Sequence, residues 1–75
     1  MEEVLRITVE ALVENKDAIK IESRQENGKD YYTVEVAKEE TGKLIGKQGK
    51  VSRAIKTIAR ALAAKEGRKV EVEIK

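Results

Sequence analysis

The sequence contains no cysteine, histidine, proline, tryptophan or phenylalanine among its 75 residues, and it has only two tyrosines. Without cysteine there is no disulfide and no thiolate metal site, and without histidine the commonest ligand of transition metals is missing. The same two absences remove the most frequent nucleophiles and general bases of enzymes. We therefore expect no metal, no cofactor and no catalytic residue, and a protein that is not an enzyme.

The chain also lacks any long apolar run. Its first residues, Met1-Glu2-Glu3-Val4, are acidic and have neither the basic start nor the apolar core of a signal peptide. No stretch approaches the roughly 20 apolar residues that a transmembrane helix needs. We expect one domain over residues 1–75, located in the cytoplasm and without contact to a membrane.

Charge is distributed very unevenly along the chain. In total it carries 16 basic and 14 acidic residues, for a net charge of +2. Between residues 41 and 65 there are seven basic residues and no acidic one, so the rest has nine basic and fourteen acidic residues. Such a polarised distribution is typical of proteins that bind nucleic acids. The seven basic residues are Lys43, Lys47, Lys50, Arg53, Lys56, Arg60 and Lys65.

Three glycines and three lysines occur together in the run Gly42-Lys43-Leu44-Ile45-Gly46-Lys47-Gln48-Gly49-Lys50. Gly46 and Gly49 have no side chain above their amides, so a phosphate strand can approach the backbone and accept hydrogen bonds from it. The positive end of the helix that follows adds to the attraction. The alternative is a helix C-cap at Gly46 followed by an ordinary tight turn.

Hydrophobic periodicity predicts three helices and three strands. Apolar residues at helical spacing indicate helices over residues 3–14, over a short segment ending at Ile45, and over 50–66. In the last helix, Lys50, Arg53 and Thr57 align along one side. Alternation predicts a hairpin with a type I' turn at Asn27-Gly28, and a terminal strand. The expected hairpin pairs are Ile19 with Val36, Ile21 with Val34, and Ser23 with Tyr32; the expected apolar stripe of the last helix is Val51, Ala54, Ile55, Ile58 and Leu62.

The predicted order of elements is α-β-β-α-α-β. A strand, two helices and a further strand favour parallel pairing of the second and third strands, and the hairpin adds an antiparallel edge. We therefore expect an α+β fold in which a three-stranded mixed sheet carries three helices on one face. The other face, with Lys20, Glu22, Arg24, Glu35, Glu71 and Glu73, is left to solvent or a partner.

The run Ile45-Gly46-Lys47-Gln48-Gly49 resembles the I-G-x-x-G signature of the KH domain, and the element order resembles its type II, bacterial arrangement. In length and in this run, the chain is similar to small single-KH RNA-binding proteins of bacteria, the KhpA type. This resemblance implies a cleft for about four unpaired nucleotides. Gly46, Lys47, Gln48 and Gly49 would then contact the sugar-phosphate backbone, and Ile45 would lie under the bases.

From the charge pattern we add Lys50 and Arg53, with Lys47, as phosphate contacts. The implied ligand is single-stranded RNA, with single-stranded DNA as a competitor, and the implied role is that of an RNA chaperone or a post-transcriptional regulator. The alternative is a module for dimerisation or protein interaction, with a second copy or a second KH-containing RNA-binding protein as partner. An idealised KH-like scaffold with weak or no nucleic-acid binding is a further alternative.

Two positions depart from the family pattern, and two other ligand sites are disfavoured. Ser52 stands where the family often has isoleucine, and Lys38 stands where many members have proline. A P-loop is disfavoured because Lys47 is followed by Gln48 and not by a hydroxyl residue. Base stacking on Tyr31 is less favoured than an ordinary strand position.

Overall fold

The computed structural model describes residues 1–75 and confirms the predicted element order. Three short 3-10 turns, Lys16–Ala18, Lys38–Glu40 and Lys47–Gly49, precede β1, α2 and α3 respectively. None of the helices combines the length and the apolar character needed to cross a lipid bilayer. The elements are α1 (Glu2–Leu12), β1 (Lys20–Glu26), β2 (Lys29–Glu35), α2 (Thr41–Ile45), α3 (Lys50–Lys65) and β3 (Lys69–Ile74).

The hairpin of β1 and β2 forms in the predicted register. Asn27 and Gly28 both have positive φ, 53° and 78°, as a type I' turn requires. Ile21 lies opposite Val34 and Ser23 opposite Tyr32, as predicted from the turn. The paired positions begin with Lys20, so the expected pair of Ile19 and Val36 lies just beyond the ladder, where both residues are buried.

The sheet is mixed, in the order β1-β2-β3. β2 pairs antiparallel with β1 and parallel with β3, where Tyr32 lies opposite Val72. This is the arrangement expected of a type II KH-like fold, and it confirms the predicted α+β class. β3 is an edge strand, and Arg60 of α3 reaches the carboxylate of Glu71 on this strand at 3.6 Å.

Twelve buried hydrophobic residues form one core between the helices and the inner face of the sheet. Val34 at the centre of the sheet and Leu44 in α2 have no exposed surface at all. α2 is only five residues long, so its position depends on this packing and not on its own helix propensity. The core residues are Leu5, Val9, Val13, Ile19, Val34, Val36, Leu44, Ile55, Ala59, Ala63, Val70 and Val72.

The predicted apolar stripe of α3 is wrong at two positions. Ala54 and Ile58 are exposed, whereas Ala59 and Ala63 are buried together with Ile55. The buried line runs at spacing i, i+4, i+8, and its small alanines allow the helix to lie close to the sheet. In α1 the helix ends at Leu12 and not at residue 14, because Val13 takes an extended conformation that buries its side chain.

Candidate nucleic-acid interface

The site begins at Gly46, where α2 ends. Its amide donates to the carbonyl oxygen of Gly42 over 2.9 Å, and its φ of 74° and ψ of 175° lie in a region that is open only to glycine. A Cβ at this position would lie 2.8 Å from the Cβ of Val51 and 2.9 Å from its nitrogen. The absence of a side chain therefore lets the first turn of α3 pack directly against the end of α2.

Gln48 and Gly49 complete the turn in the left-handed region, with φ values of 57° and 73°. Gln48 has a Cβ, so its conformation costs roughly 1 kcal/mol or more. The amide of Gly49 donates to the carbonyl oxygen of Gly46 over 3.2 Å. The N–H groups of both glycines thus bond within the chain and are not free to donate to a ligand.

Three cations surround this turn, and their side chains are exposed. Lys47, Lys50 and Arg53 form no salt bridge with any carboxylate. The guanidinium of Arg53 instead reaches back, with Nη2 3.5 Å from the carbonyl oxygen of Gln48. The positive charge at the turn is therefore not compensated by acidic side chains.

The predicted site residues lie together, at the end of α2, in the turn and in the first part of α3. Ile45 is the last residue of α2 and is 40% exposed, so an isoleucine side chain lies open beside the turn. Gly46 to Lys50 follow without interruption, and Arg53 lies one helical turn further along α3. A phosphate strand crossing the turn would find cations on it and an apolar side chain next to it.

Comparison with known proteins identifies the family of the chain. The family model described as "KhpA/KhpB, KH domain" matches residues 2–74. The chain belongs to this KhpA/KhpB KH-domain family. It is 39% identical over 74 residues to a protein named RNA-binding protein KhpA from Caldanaerobacter subterraneus, covering 99% of each chain.

Further relatives carry the same name. The protein from Listeria monocytogenes is 34% identical and the alignment covers 99% of this chain and 97% of the relative. The protein from Aquifex aeolicus is also 34% identical, with 99% of this chain and 94% of the relative covered. The match therefore extends over the whole fold and is not confined to the glycine turn.

Ser52, which departs from the pattern of the KH family, has a local structural role. Its side chain is half-buried in the first turn of α3, and its hydroxyl donates to the carbonyl oxygen of Gly49 over 3.1 Å. That carbonyl belongs to the turn itself. The hydroxyl thus ties the last residue of the turn to the helix, where an isoleucine would have offered only apolar surface.

Glu40 was not predicted from the sequence, and it connects two elements next to the glycine turn. Its side chain is buried, and its carboxylate accepts hydrogen bonds from the backbone N–H groups of Glu14, over 2.6 Å, and Asn15, over 3.0 Å. These two amides and the ammonium of Lys43 lower the pKa of Glu40. The carboxylate thus joins the end of α1 to the start of α2, which ends at the glycine turn. No local signal distinguishes Glu40 from the exposed Glu39 beside it.

A second missed interaction fixes the other end of the KH fold. Arg68 binds the carboxylate of Asp30 through two hydrogen bonds, from Nε over 2.8 Å and from Nη2 over 2.6 Å. The bond from Arg68 lowers the pKa of Asp30, which is almost completely buried. The pair links the start of β2 to the segment between α3 and β3. Its two members are 38 residues apart, so only the folded chain reveals the contact.

The outer face of the sheet has a different character from the glycine turn. The ring of Tyr31 lies 4.7 Å from the guanidinium carbon of Arg24 and 5.4 Å from the ammonium of Lys29. These cations occupy the approach to the ring, as is typical of an exposed strand position. Tyr32 lies on the inner face, where burial raises the pKa of its hydroxyl.

Proposed function

We propose that this protein binds single-stranded RNA, with the turn Gly46–Gly49 lying against the sugar-phosphate backbone of about four unpaired nucleotides. The observation that carries this proposal is a glycine turn whose three neighbouring cations have no acidic partner. The relatives named RNA-binding protein KhpA, aligned over the whole chain, support it. In this proposal residues 1–75 act as one KH domain.

Each residue of the turn has a proposed task. Lys47 and Lys50 bind phosphate as point charges, and Arg53 offers a planar guanidinium that binds two phosphate oxygens at once. Gly46 and Gly49 allow the strand to approach the main chain. Because their own amides bond internally, the backbone donors for phosphate come from Lys47 and Gln48. Ile45, exposed at the end of α2, contacts the face of a base.

The proposed contacts favour an unpaired strand over a duplex, because bases can reach Ile45 only when they are unstacked. Discrimination between RNA and single-stranded DNA requires contacts with the 2'-hydroxyl. We place the activity in the cytoplasm, as an RNA chaperone or post-transcriptional regulator. Competition of a labelled RNA oligonucleotide with DNA of the same sequence measures the preference between the two nucleic acids.

The double substitution K47D/Q48D tests the proposal. Both side chains are exposed, so we expect an unchanged circular dichroism spectrum and melting temperature, together with a loss of RNA retention in a filter assay. The matched control is K16D/N27D, which makes the same change in charge at two exposed positions away from the turn. Asp-Gly forms the type I' hairpin turn as well as Asn-Gly does. Parental RNA binding by K47D/Q48D would refute the proposed site.

We also propose that two copies of the chain associate through α3. Ala54, Ile58 and Ala61 follow spacing i, i+4, i+7 on one exposed side of this helix, and Ile58 is 51% exposed. Leu62 continues this side and lines a groove together with Val4 of α1. Arg53 and Arg60 lie on a different side of α3, so pairing through the apolar side leaves the glycine turn open to RNA. A second KH-containing protein is the alternative occupant.

A further inference from the structure

We propose that the RNA track continues beyond the four nucleotides at the turn, along one side of α3, into a second phosphate-binding groove between the C-terminal half of α3 and β3. This inference rests on the proposed RNA binding and extends the same track. The groove has a volume of about 330 Å³. Four of the residues that line it are basic, namely Lys29, Arg60, Arg68 and Lys69, and only Glu71 is acidic.

The basic residues form a continuous path from the turn to this groove. Arg53 touches the turn through the carbonyl oxygen of Gln48. Lys56 and Arg60 follow it at spacing i+3 and i+7, on the same side of the helix. Arg60 reaches Glu71 of β3 at 3.6 Å, and Lys56 lies near enough to help lower the pKa of Glu71. From Lys50 to Arg60 the helix rises about 15 Å, so the groove lies well outside the reach of the turn.

The charges of the groove do not cancel. Glu71 is shared by two cations, Lys29 at 3.2 Å and Arg60 at 3.6 Å. Lys69 and Lys56 have no salt-bridge partner. Arg68 is committed to Asp30 and shapes the groove without adding free charge. The groove therefore holds more positive than negative charge and attracts an anion.

The lining favours a phosphate backbone over a base or an apolar peptide. Among the lining residues only Ala64 and Val70 are hydrophobic, and none is aromatic, so the groove has no platform on which a base could stack. Contacts of lysine and arginine with phosphate are independent of sequence. The groove thus adds affinity for longer strands and no base preference.

The test measures how binding depends on the length of the strand. Fluorescence anisotropy with labelled oligouridines of four and ten nucleotides is compared for the parent chain, for R60Q/K69Q and for a control, K20Q/K65Q. The control removes two exposed lysines that do not line the groove. Arg60 and Lys69 are exposed, and equal melting temperatures confirm that each variant is folded.

We expect R60Q/K69Q to bind the tetramer like the parent and the decamer about fivefold to tenfold more weakly. The slope of log affinity against log salt for the decamer should fall by about 1.4, at roughly 0.7 per lost contact on a single strand. Equal binding of the decamer by R60Q/K69Q and the control would refute the second phosphate-binding groove. An equal loss of affinity of R60Q/K69Q for the tetramer and the decamer would refute it as well. Failure of the RNA site itself has a separate readout, since K47D/Q48D would then bind the tetramer like the parent.

Discussion

Gly46 lies directly against Val51, so that a Cβ on residue 46 would sit 2.8 Å from the Cβ of the valine. Real Cβ contacts are not this short, and the left-handed φ of 74° adds strain for any other residue. The contact sets how closely the end of α2 approaches the first turn of α3. The exposed positions of Lys47 and Gln48 follow from this spacing.

Gly46→Ala should therefore lower the free energy of unfolding by about 2–4 kcal/mol, from clash and backbone strain together. The matched control is Gly42→Ala. Gly42 lies inside α2 with φ outside the positive range, and a Cβ there meets no atom within 4 Å. Alanine at residue 42 should stabilise the fold by about 0.5–1 kcal/mol, because it restricts the unfolded chain.

Urea titration of both variants measures this difference, and RNA binding is assayed at temperatures where each is folded. We expect Gly42→Ala to bind RNA like the parent. Equal stability of the two alanine variants would mean that the approach of α2 to Val51 is not needed for the fold.

The hairpin of β1 and β2 shows which structural features can be predicted from the sequence. Asn27 and Gly28 specify a two-residue turn, and this turn alone fixes which residues face one another. Since every aliphatic residue then falls on one face, the turn and the alternating pattern agree independently. The glycine turn could be predicted for the same reason, because the pattern that indicates it is contained within a few consecutive residues.

The side-chain contacts between distant parts of the chain could not be predicted from the sequence. Glu40 bonds to amides 26 and 25 residues earlier, and Asp30 binds an arginine 38 residues later. Glu40 does not differ locally from the exposed Glu39 beside it. The wrong prediction in α3 has a related origin, because an isoleucine at helical spacing predicts a core position from its residue type alone. In the fold Ala59 is buried against the sheet, and Ile58 turns outward.

Glu40→Gln should lower the melting temperature by about 5 °C or more. The two carboxylate oxygens of Glu40 accept from the N–H groups of Glu14 and Asn15, one each, whereas the glutamine amide has a single acceptor oxygen and leaves one of these N–H groups without a partner. Gln keeps the shape of the side chain, so the loss reports the charge and the second acceptor oxygen together. Glu39→Gln is the control, because Glu39 is exposed. Differential scanning fluorimetry at neutral pH compares the variants. A melting temperature equal to that of the control would show that the hydrogen bonds of Glu40 do not stabilise the fold.

The same variant makes a prediction about pH. The two backbone amides lower the pKa of Glu40 from its ordinary 4.5. The contribution of Glu40 to the free energy of unfolding is therefore complete above pH 4.5, and it disappears as the pH falls through the lowered pKa of the folded state. The melting temperatures of the parent and of Glu40→Gln should therefore converge in acid. The parent still loses stability there, because the pKa of Asp30 is lowered as well. A difference that stays constant down to pH 2 would contradict this assignment.

Ile58→Lys tests association through the apolar side of α3. The side chain is half-exposed and outside the core, so the monomer should keep its melting temperature within a few degrees. We expect light scattering to show a dimer for the parent and a monomer for the variant. Ala11→Lys, on the exposed side of α1, is the control. A parent that is monomeric at high concentration would refute the pairing of two copies and leave a second KH-containing protein as the partner to test.

Glu71→Gln separates two opposite effects in the groove between α3 and β3. The carboxylate holds Lys29 and Arg60 in place, but it also repels a phosphate strand. Both ion pairs are partly exposed, with 43% of the Glu71 side chain accessible, so holding the cations contributes little. The repulsion should dominate, and Glu71→Gln should bind a ten-nucleotide RNA about twofold to fivefold more tightly, with unchanged binding of a tetramer.

The control for this change is Glu73→Gln, two residues further along β3 and outside the groove lining. It removes the same charge, so it corrects for the long-range effect of net charge on binding. Anisotropy titrations at low and high salt should show the gain of Glu71→Gln shrinking as salt screens the groove. Weaker binding of the decamer by Glu71→Gln would instead mean that the carboxylate positions Lys29 and Arg60 for phosphate, and that this ordering outweighs its charge.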